Sequence, residues 1–418
     1  MLSRLITISI LILIVFLIDL YVFQAIRSVS QNLLPRTQRF IYIAYWAVFA
    51  LTGATIILFS LTRGTPPSHL RMYLVSTVFI IFASKLVVVL FLLVDDAIRL
   101  MKFIVNYIFS TAPNQPSGAP IKITRNEFLN KIALLAAAIP FTAFIYGMVR
   151  GAYSYRVKRV TFKSPHVPQA FDGYRIVQIS DLHTGSFPSS DSLKKAVALI
   201  NKQAANLVFF TGDLVNNIAT EAVPHIPVLG QIKAPDGVFS ILGNHDYGDY
   251  VNWGSREEKI ANLNHLKKNH HDLGWRLLLN EHVTIEKNEE RFAVLGVENW
   301  STRLHFPKYG SLAKAYAGSE NIPFKILLSH DPSHWDGEVN QHYPDIDLTL
   351  SGHTHGMQFG VNLPGFKWSP VQYVYKQWAG LYQKGRQYLY VNTGLGFLGY
   401  PGRVGFLPEI TVFELKKA

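Results

Sequence analysis

The chain has 418 residues, more than one ordinary domain needs, so two separately packed units are expected. Its composition, 49% hydrophobic against 16% charged, is too apolar for a water-soluble protein, and the absence of cysteine excludes disulfides, thiolate metal sites and a thiol nucleophile. The formal net charge of +12 comes without a long basic run, which points to a membrane surface; no nucleic-acid partner is expected.

A helix needs roughly 20 mostly apolar residues to cross a hydrocarbon core. Four stretches meet that length: Leu5 to Ile26, Phe40 to Leu61, Met72 to Val94, and Phe128 to Val149, the last carrying Pro140. They predict an all-α, multi-pass membrane region over residues 1–152. Asp19 in the first stretch and Lys85 in the third fall at similar depth, because alternate spans run in the same direction. Either the two charges pair, or each faces protein or snorkels separately. Orientation is finely balanced, with Arg27, Arg36 and Arg39 on one side and Arg63 and Arg71 on the other. The segment Thr124 to Lys131 resembles a degraded twin-arginine export signal in which Asn126 replaces the second arginine. That resemblance places the following domain outside the cytoplasm, whereas Arg156, Lys158, Arg159 and Lys163 argue for the inside.

From about Tyr174 the pattern changes to short aliphatic runs separated by polar, helix-compatible stretches. Arg175 to Ile179, Leu207 to Phe210, Val238 to Leu242, Phe292 to Leu295, Lys325 to Leu328 and Leu348 to Leu350 read as buried strands, followed by Leu389 to Val391 and Thr411 to Leu415. Ser192 to Gln203 and Arg256 to Leu273 read as helices between them. The class is α/β, over residues 160–418.

Five of these strands run directly into candidate ligands: Asp181-Leu182-His183, Gly212-Asp213, Gly243-Asn244-His245-Asp246, His330-Asp331, and Gly352-His353-Thr354-His355. One such cluster arises by chance, but five in succession at carboxyl ends of strands, where loops of open sheets converge, do not. Imidazole, carboxylate and amide donors without sulfur suit Mn, Fe, Zn or Co. Two such ions about 3.5–4 Å apart share a carboxylate, activate water and clamp both sides of an in-line displacement at phosphorus. The neighbouring glycines allow the backbone to turn close to the ions.

In this order the motifs DxH, GD, GNH, H and GHxH resemble those of the calcineurin-like metallophosphoesterase family, over about Tyr174 to Leu415. Ser180 to His183, Thr211 to Leu214, Leu328 to Pro332 and Asn392 to Gly396 further resemble its bacterial membrane-associated subgroup. The resemblance implies a β-sandwich flanked by helices (αββα) and a dinuclear centre of divalent or trivalent ions, Mn, Fe or Zn. It implies Asp181, His183, Asp213 and His355 as ligands of one ion, and Asp213, Asn244, His330 and His353 as ligands of the other. His245 would be the general acid toward the leaving oxygen, with Asp246 either orienting it or lying at the surface after the turn. Gly356 is followed by Met357 where many relatives carry a second glycine, which implies an altered wall on the substrate side.

Among the other histidines, His265, His270 and His271 are expected in solvent, and His225, His282, His305 and His342 have no partner motif. His334 either touches substrate or is structural, and the aromatics Trp368, Tyr373, Tyr375 and Trp378 either pack in the core or form a wall or membrane-facing patch. The resulting expectation is an enzyme of a bacterial cytoplasmic membrane. It would hydrolyse a phosphomonoester, phosphodiester or pyrophosphate bond by attack of a hydroxide bridging two ions, on a substrate that includes envelope lipids or nucleotide-linked precursors. The alternative is a catalytically silent metal-binding scaffold or sensor on a membrane anchor.

Overall fold

Each apolar stretch becomes one helix in the computed structural model, which describes residues 2–61, 69–109, 127–303 and 306–418. The helices are α1 (Leu2–Ser30), α2 (Pro35–Leu61), α3 (His69–Phe109) and α4 (Glu127–Val149). All four are long and apolar enough to cross a membrane. Their outward surfaces are apolar too, with Leu13 54% and Phe40 72% exposed, a surface that suits hydrocarbon and not water. α3 continues past the expected end at Val94 because the polar turn there does not break it. Asp96 is satisfied by Arg99 at 2.9 Å and by the Tyr21 hydroxyl at 2.6 Å, and no glycine or proline intervenes. Arg63, the residues Thr124 to Asn126 of the export-like segment, and His305 lie outside the described residues.

Inside this helical unit Lys85 Nζ lies 2.5 Å from Asp19 Oδ1, so the two intramembrane charges do pair. Tyr45 adds to the arrangement from α2: its hydroxyl donates to the Asp19 carbonyl at 3.0 Å and its ring lies 5.2 Å from the Lys85 ammonium. Breaking a buried pair leaves a buried charge, which costs about 3–5 kcal/mol. Lys85→Ala is therefore expected to destabilise the helical unit by that order, and Asp19→Ala combined with Lys85→Ala to recover most of the loss. A thermal-unfolding cycle of the four proteins in micelles checks this, and additive single losses would disprove the coupling.

The chain divides into two units, Met1–Ile145 and Tyr146–Ala418. In the second unit the strands are β1 (Arg156–Ser164), β2 (Arg175–Ile179), β3 (Leu207–Phe210), β4 (Val238–Ser240) and β5 (Arg276–Leu277). They are followed by β6 (Glu281–Lys287), β7 (Glu290–Gly296), β8 (Lys325–Leu328) and β9 (Leu348–Ser351). The last five are β10 (Val361–Leu363), β11 (Phe366–Trp368), β12 (Gly380–Lys384), β13 (Gln387–Val391) and β14 (Glu409–Lys417). Two six-stranded sheets form, in the orders β1-β14-β2-β3-β4-β5 and β12-β13-β9-β8-β7-β6, and among the described residues β10 and β11 pair only with each other.

Strand periodicity builds the core between the sheets. Ile326 and Leu328 of β8, Leu348 and Leu350 of β9, and Phe292 and Val294 of β7 face Ile176, Phe209 and Phe413 of the other sheet. Ala293, Leu295 and Leu327, on alternate positions, pack outward against Trp335 and Val339. The helices Asp191–Asn201 and Arg256–Asp272 form where expected. The architecture is the expected mixed α/β sandwich.

Candidate metal centre

β2, β3 and β4 of one sheet and β8 and β9 of the other end at one edge, and the loops beyond them are tied together by the backbone. Asp181 N donates to Gly212 O (2.9 Å), His183 N to Asp213 O (3.1 Å) and Gly352 N to His330 O (3.0 Å). His353 N crosses between the sheets to Asp181 Oδ1 (3.0 Å). Five of the seven expected ligands, Asp181, His183, Asp213, His353 and His355, have positive φ. Such backbone is strained for residues with a Cβ and persists only where the surroundings over-determine it, as at functional sites. Gly212 combines φ +94° with a cramped position: a Cβ there would lie 2.6 Å from Gly243 N and 2.9 Å from His330 Nδ1.

The donor atoms fall into two triads, Asp181–His183–His355 and Asp213–His330–His353, each with its atoms within 4.8 Å of one another. In the first, His183 Nε2 and His355 Nε2 are 3.0 Å apart and Asp181 Oδ1 is 3.2 Å from the latter. Asp213 Oδ2 joins the triads, lying 3.1 Å from His330 Nε2 and 3.6 Å from His183 Nε2. Asn244 Oδ1 lies 2.7 Å from His353 Nδ1 and 3.2 Å from His330 Nε2. This convergence of imidazole, carboxylate and amide donors in a buried pocket fits a pair of cations sharing Asp213.

The partners of the ring nitrogens that face away reinforce the fit, because a metal-binding histidine normally donates its other N–H to a fixed acceptor. His330 Nδ1 donates to Thr211 O at 2.7 Å, leaving Nε2 for the pocket. His353 is turned the opposite way: Nε2 lies 2.8 Å from the Tyr375 hydroxyl, which itself donates to Asp331 Oδ2 at 3.2 Å, so Nδ1 faces the pocket. Arg403, buried and donating to Gly396 O and Thr393 O, brings Nη2 to 3.1 Å from His355 Nδ1. Neither Tyr375 nor Arg403 carries a motif that would have marked it as a partner of a ligand.

Electrostatics follow from burial and proximity. Burial pushes His183 well below the ordinary imidazole value, leaving it neutral, as a ligand must be. Burial also acts to raise Asp181 and Asp213, but neighbouring imidazoles, His355 for Asp181 and His330 for Asp213, outweigh it and hold both carboxyls ionised. His330 answers in the other direction: against its burial, the Asp213 carboxylate pushes it up to about 10. An entering cation must therefore expel that proton. Below about pH 10 ion affinity is expected to climb with pH, by about tenfold per unit while this single proton is displaced, which calorimetry in buffers of different ionisation enthalpy measures as proton release.

His245 is half-buried beside the triads, its ring 5.0 Å from that of His183. Its Nδ1 donates to Asn216 O at 2.7 Å, which leaves Nε2 free. The Asp246 carboxylate does not reach this ring. It accepts from the backbone N–H groups of Asp213, Leu214 and Gly243 at 2.9 Å and of Val215 at 3.3 Å, so it anchors the loops that carry Asp213 and Asn244. Burial and the Asp213 carboxylate push it up, to about 7, against those donors.

The remaining histidines sort by burial. His270, expected in solvent, is fully buried, lies 2.9 Å from Ser240 Oγ and is pushed down to about 3 by burial; His271 is exposed. His334 is structural, held between Ser329 Oγ and Glu338 Oε2 at 2.8 Å each and stacked on Trp300. Of the late aromatics, Trp378 and Tyr375 share a buried cluster with Phe406, whereas Tyr373 is exposed.

Paired imidazole and carboxylate triads at the carboxyl ends of a two-sheet sandwich define a metal-dependent hydrolase. Residues 174–357 match the family described as "Calcineurin-like phosphoesterase", and residues 3–152 match "Probable Calcineurin-like phosphoesterase, transmembrane domain". The metallophosphoesterase YkuE of Bacillus subtilis is 33% identical over 71% of this chain and 98% of its own length. The phosphodiesterase YaeI of Escherichia coli is 27% identical over 70% and 99%, and the UDP-2,3-diacylglucosamine pyrophosphatase LpxG of Chlamydia trachomatis is 27% identical over 58% and 83%. The chain belongs to the calcineurin-like phosphoesterase family: it is a multi-pass membrane protein and a metal-dependent phosphoester hydrolase.

Proposed function

We propose that the protein hydrolyses a phosphomonoester, phosphodiester or pyrophosphate bond in a substrate that includes a membrane lipid or its nucleotide-linked precursor. The observation that carries this reading is Asp213, whose one carboxylate oxygen lies between two histidine-bearing triads. Asp181, His183, Asp213 and His355 would hold one ion, and Asp213, Asn244, His330 and His353 the other, with Mn, Fe or Zn suited to these donors. When bound, such ions supply Lewis acidity toward a phosphoryl oxygen and lower the pKa of water. The chain's own groups supply the rest. His245, held through Nδ1, offers Nε2 as the proton donor to the leaving oxygen, and Asp246 fixes the loops around it. The pyrophosphatase and phosphodiesterase relatives support the range of bonds, and the lipid-nucleotide in the name of the chlamydial protein supports the substrate class.

We assign the catalytic unit to the outer face of a bacterial cytoplasmic membrane. The export-like sequence Thr124 to Lys131 supports this, while the basic residues from Arg156 to Lys163 oppose it. The chain has no native cysteine, so labelling of Glu286→Cys protein in intact cells with an impermeant maleimide decides the side. For the chemistry, the full chain in micelles is stripped with chelator, reloaded with Mn or Zn, and assayed on aryl phosphomonoesters, aryl phosphodiesters and a nucleoside diphosphate ester. Ion-dependent turnover of at least one class is expected. Stoichiometric ion uptake with no turnover of any would favour the silent scaffold instead.

A further inference from the structure

The hairpin of β10 and β11 leaves most of its apolar side chains uncovered. Its register pairs Val361 with Trp368 and Leu363 with Phe366, so these four side chains share one face, while Asn362 and Lys367 share the other. In a hairpin at a soluble surface the apolar face turns inward. Here it does not: Asn362 and Lys367 on the polar face are exposed, Lys367 bending back to donate to Ala379 O and lying 4.9 Å from the Trp378 ring, and of the four apolar residues Trp368 alone is half-buried. The apolar face looks outward, with Leu363 60% and Phe366 57% exposed on either side of the Pro364–Gly365 turn. Tyr373, 78% exposed, and Val374 extend the same kind of surface.

Two further observations say what covers it. First, the segment entering the hairpin is fastened to the end of a membrane-spanning helix, entirely within the C-terminal unit. Gly360 N donates to Val404 O at 3.0 Å, and the adjacent Arg403 N donates at 3.2 Å to the carbonyl of Gly147, in the last turn of α4. Second, residues 356–386 contain no aspartate or glutamate, so this stretch brings no carboxylate against an anionic headgroup; of its basic residues Lys384 and Arg386 face Asp336 and Asp347, while Lys367 and Lys376 meet no carboxylate among the described residues. An apolar tip with flanking aromatics and lysines is the composition that settles at a lipid–water boundary.

We propose that this hairpin is a membrane-docking element that seats its Leu363–Phe366 tip in the surface of an anionic lipid bilayer. The same surface borders the metal centre, since Tyr375, whose hydroxyl is 2.8 Å from His353 Nε2, directly follows Val374. Docking thereby holds the site against phosphate esters lying in the membrane plane. The inference goes beyond the phosphoesterase reading and does not depend on turnover.

The test uses the full chain reconstituted in phosphatidylglycerol–phosphatidylcholine vesicles, where the absence of native cysteine allows one label per protein. Phe366→Cys carries an environment-sensitive nitrobenzoxadiazole, and Glu286→Cys, on β6 at the sheet edge opposite β12, is the control. A tip seated about 5–10 Å into the headgroup boundary shifts its emission to the blue and loses at least about half of it to doxyl-labelled lipid, whereas the control does neither. Quenching weakens when phosphatidylglycerol is left out. A label that stays water-exposed overturns the proposal, and so does one that shifts to the blue without lipid quenching, as packing against a second copy would give. With Mn or Zn supplied, turnover of aryl phosphomonoesters, aryl phosphodiesters and a nucleoside diphosphate ester is measured in the same vesicles: quenching without turnover of any class counts against the phosphoesterase reading alone, and turnover without quenching against docking alone.

Discussion

Asp213→Ala is expected to empty both halves of the metal centre and abolish turnover. Among the described residues Asp213 alone bridges the two halves: Oδ2 is 3.1 Å from His330 Nε2 and 3.6 Å from His183 Nε2, while Oδ1 accepts from His245 N at 2.9 Å. Its removal takes a shared anionic ligand from each ion and also releases the proton that Asp213 holds on His330. The loss in kcat/KM should exceed the roughly 10²–10³-fold that removing one transition-state hydrogen-bond donor costs. Elemental analysis should find neither ion at micromolar metal. Asp213→Asn separates charge from shape, since its amide oxygen can still accept from His245 N; it is expected to lose ions nearly as completely. Retention of both ions with full turnover in either protein would end the assignment of a shared carboxylate. Loss of the near-ultraviolet circular dichroism of the C-terminal unit in Asp213→Ala but not Asp213→Asn would assign the first result to misfolding, and leave the second as the test.

Much of this centre was legible because each ligand follows its strand at once. A run such as Leu207–Phe210 must be buried on both faces, so its end is a defined place in the fold, and Gly212-Asp213 just after it inherits that place. The spans were legible for a similar reason, since length and apolarity are local properties. What escaped was everything fixed by packing at long range. Arg156, Lys158, Arg159 and Lys163 read only as basic residues following the last span, yet they lie on β1, a parallel edge strand on β14 that forms because Phe162 is buried in the core and Glu409 accepts from Lys158 at 2.6 Å. His270 sits among polar helix residues, and only the tertiary fold turns its side of that helix onto Ser240.

The same limit governs the centre's supporting residues. Tyr375 reads as one more core aromatic, and in part it is one, yet its hydroxyl fixes the ring of His353. Asp246 reads naturally as the partner of the histidine beside it. Adjacent residues on a tight turn point apart, however, and its carboxylate instead gathers four backbone N–H groups from two loops. The acceptor that orients His245 is a main-chain carbonyl, that of Asn216, and a carbonyl leaves no mark in a sequence.

That geometry makes a sharp statement about His245→Gln. With Nδ1–H committed to Asn216 O, Nε2 is the only ring nitrogen able to face substrate, and the ring is not among the triads. Both ions should therefore remain bound while the rate falls. General acid catalysis contributes about 10²–10⁴-fold where the leaving group needs a proton, and little where it does not. Loss on alkyl phosphate esters is expected to be about two decades or more, and loss on p-nitrophenyl esters, whose leaving oxygen is stable as an anion, to stay within about tenfold. The slope of log kcat/KM against leaving-group pKa should steepen accordingly. An equal loss on both classes would show that His245 holds the phosphoryl group by charge or position and does not deliver a proton. Loss of ions from the variant would place it among the ligands instead, against the 2.7 Å bond that turns its other nitrogen away.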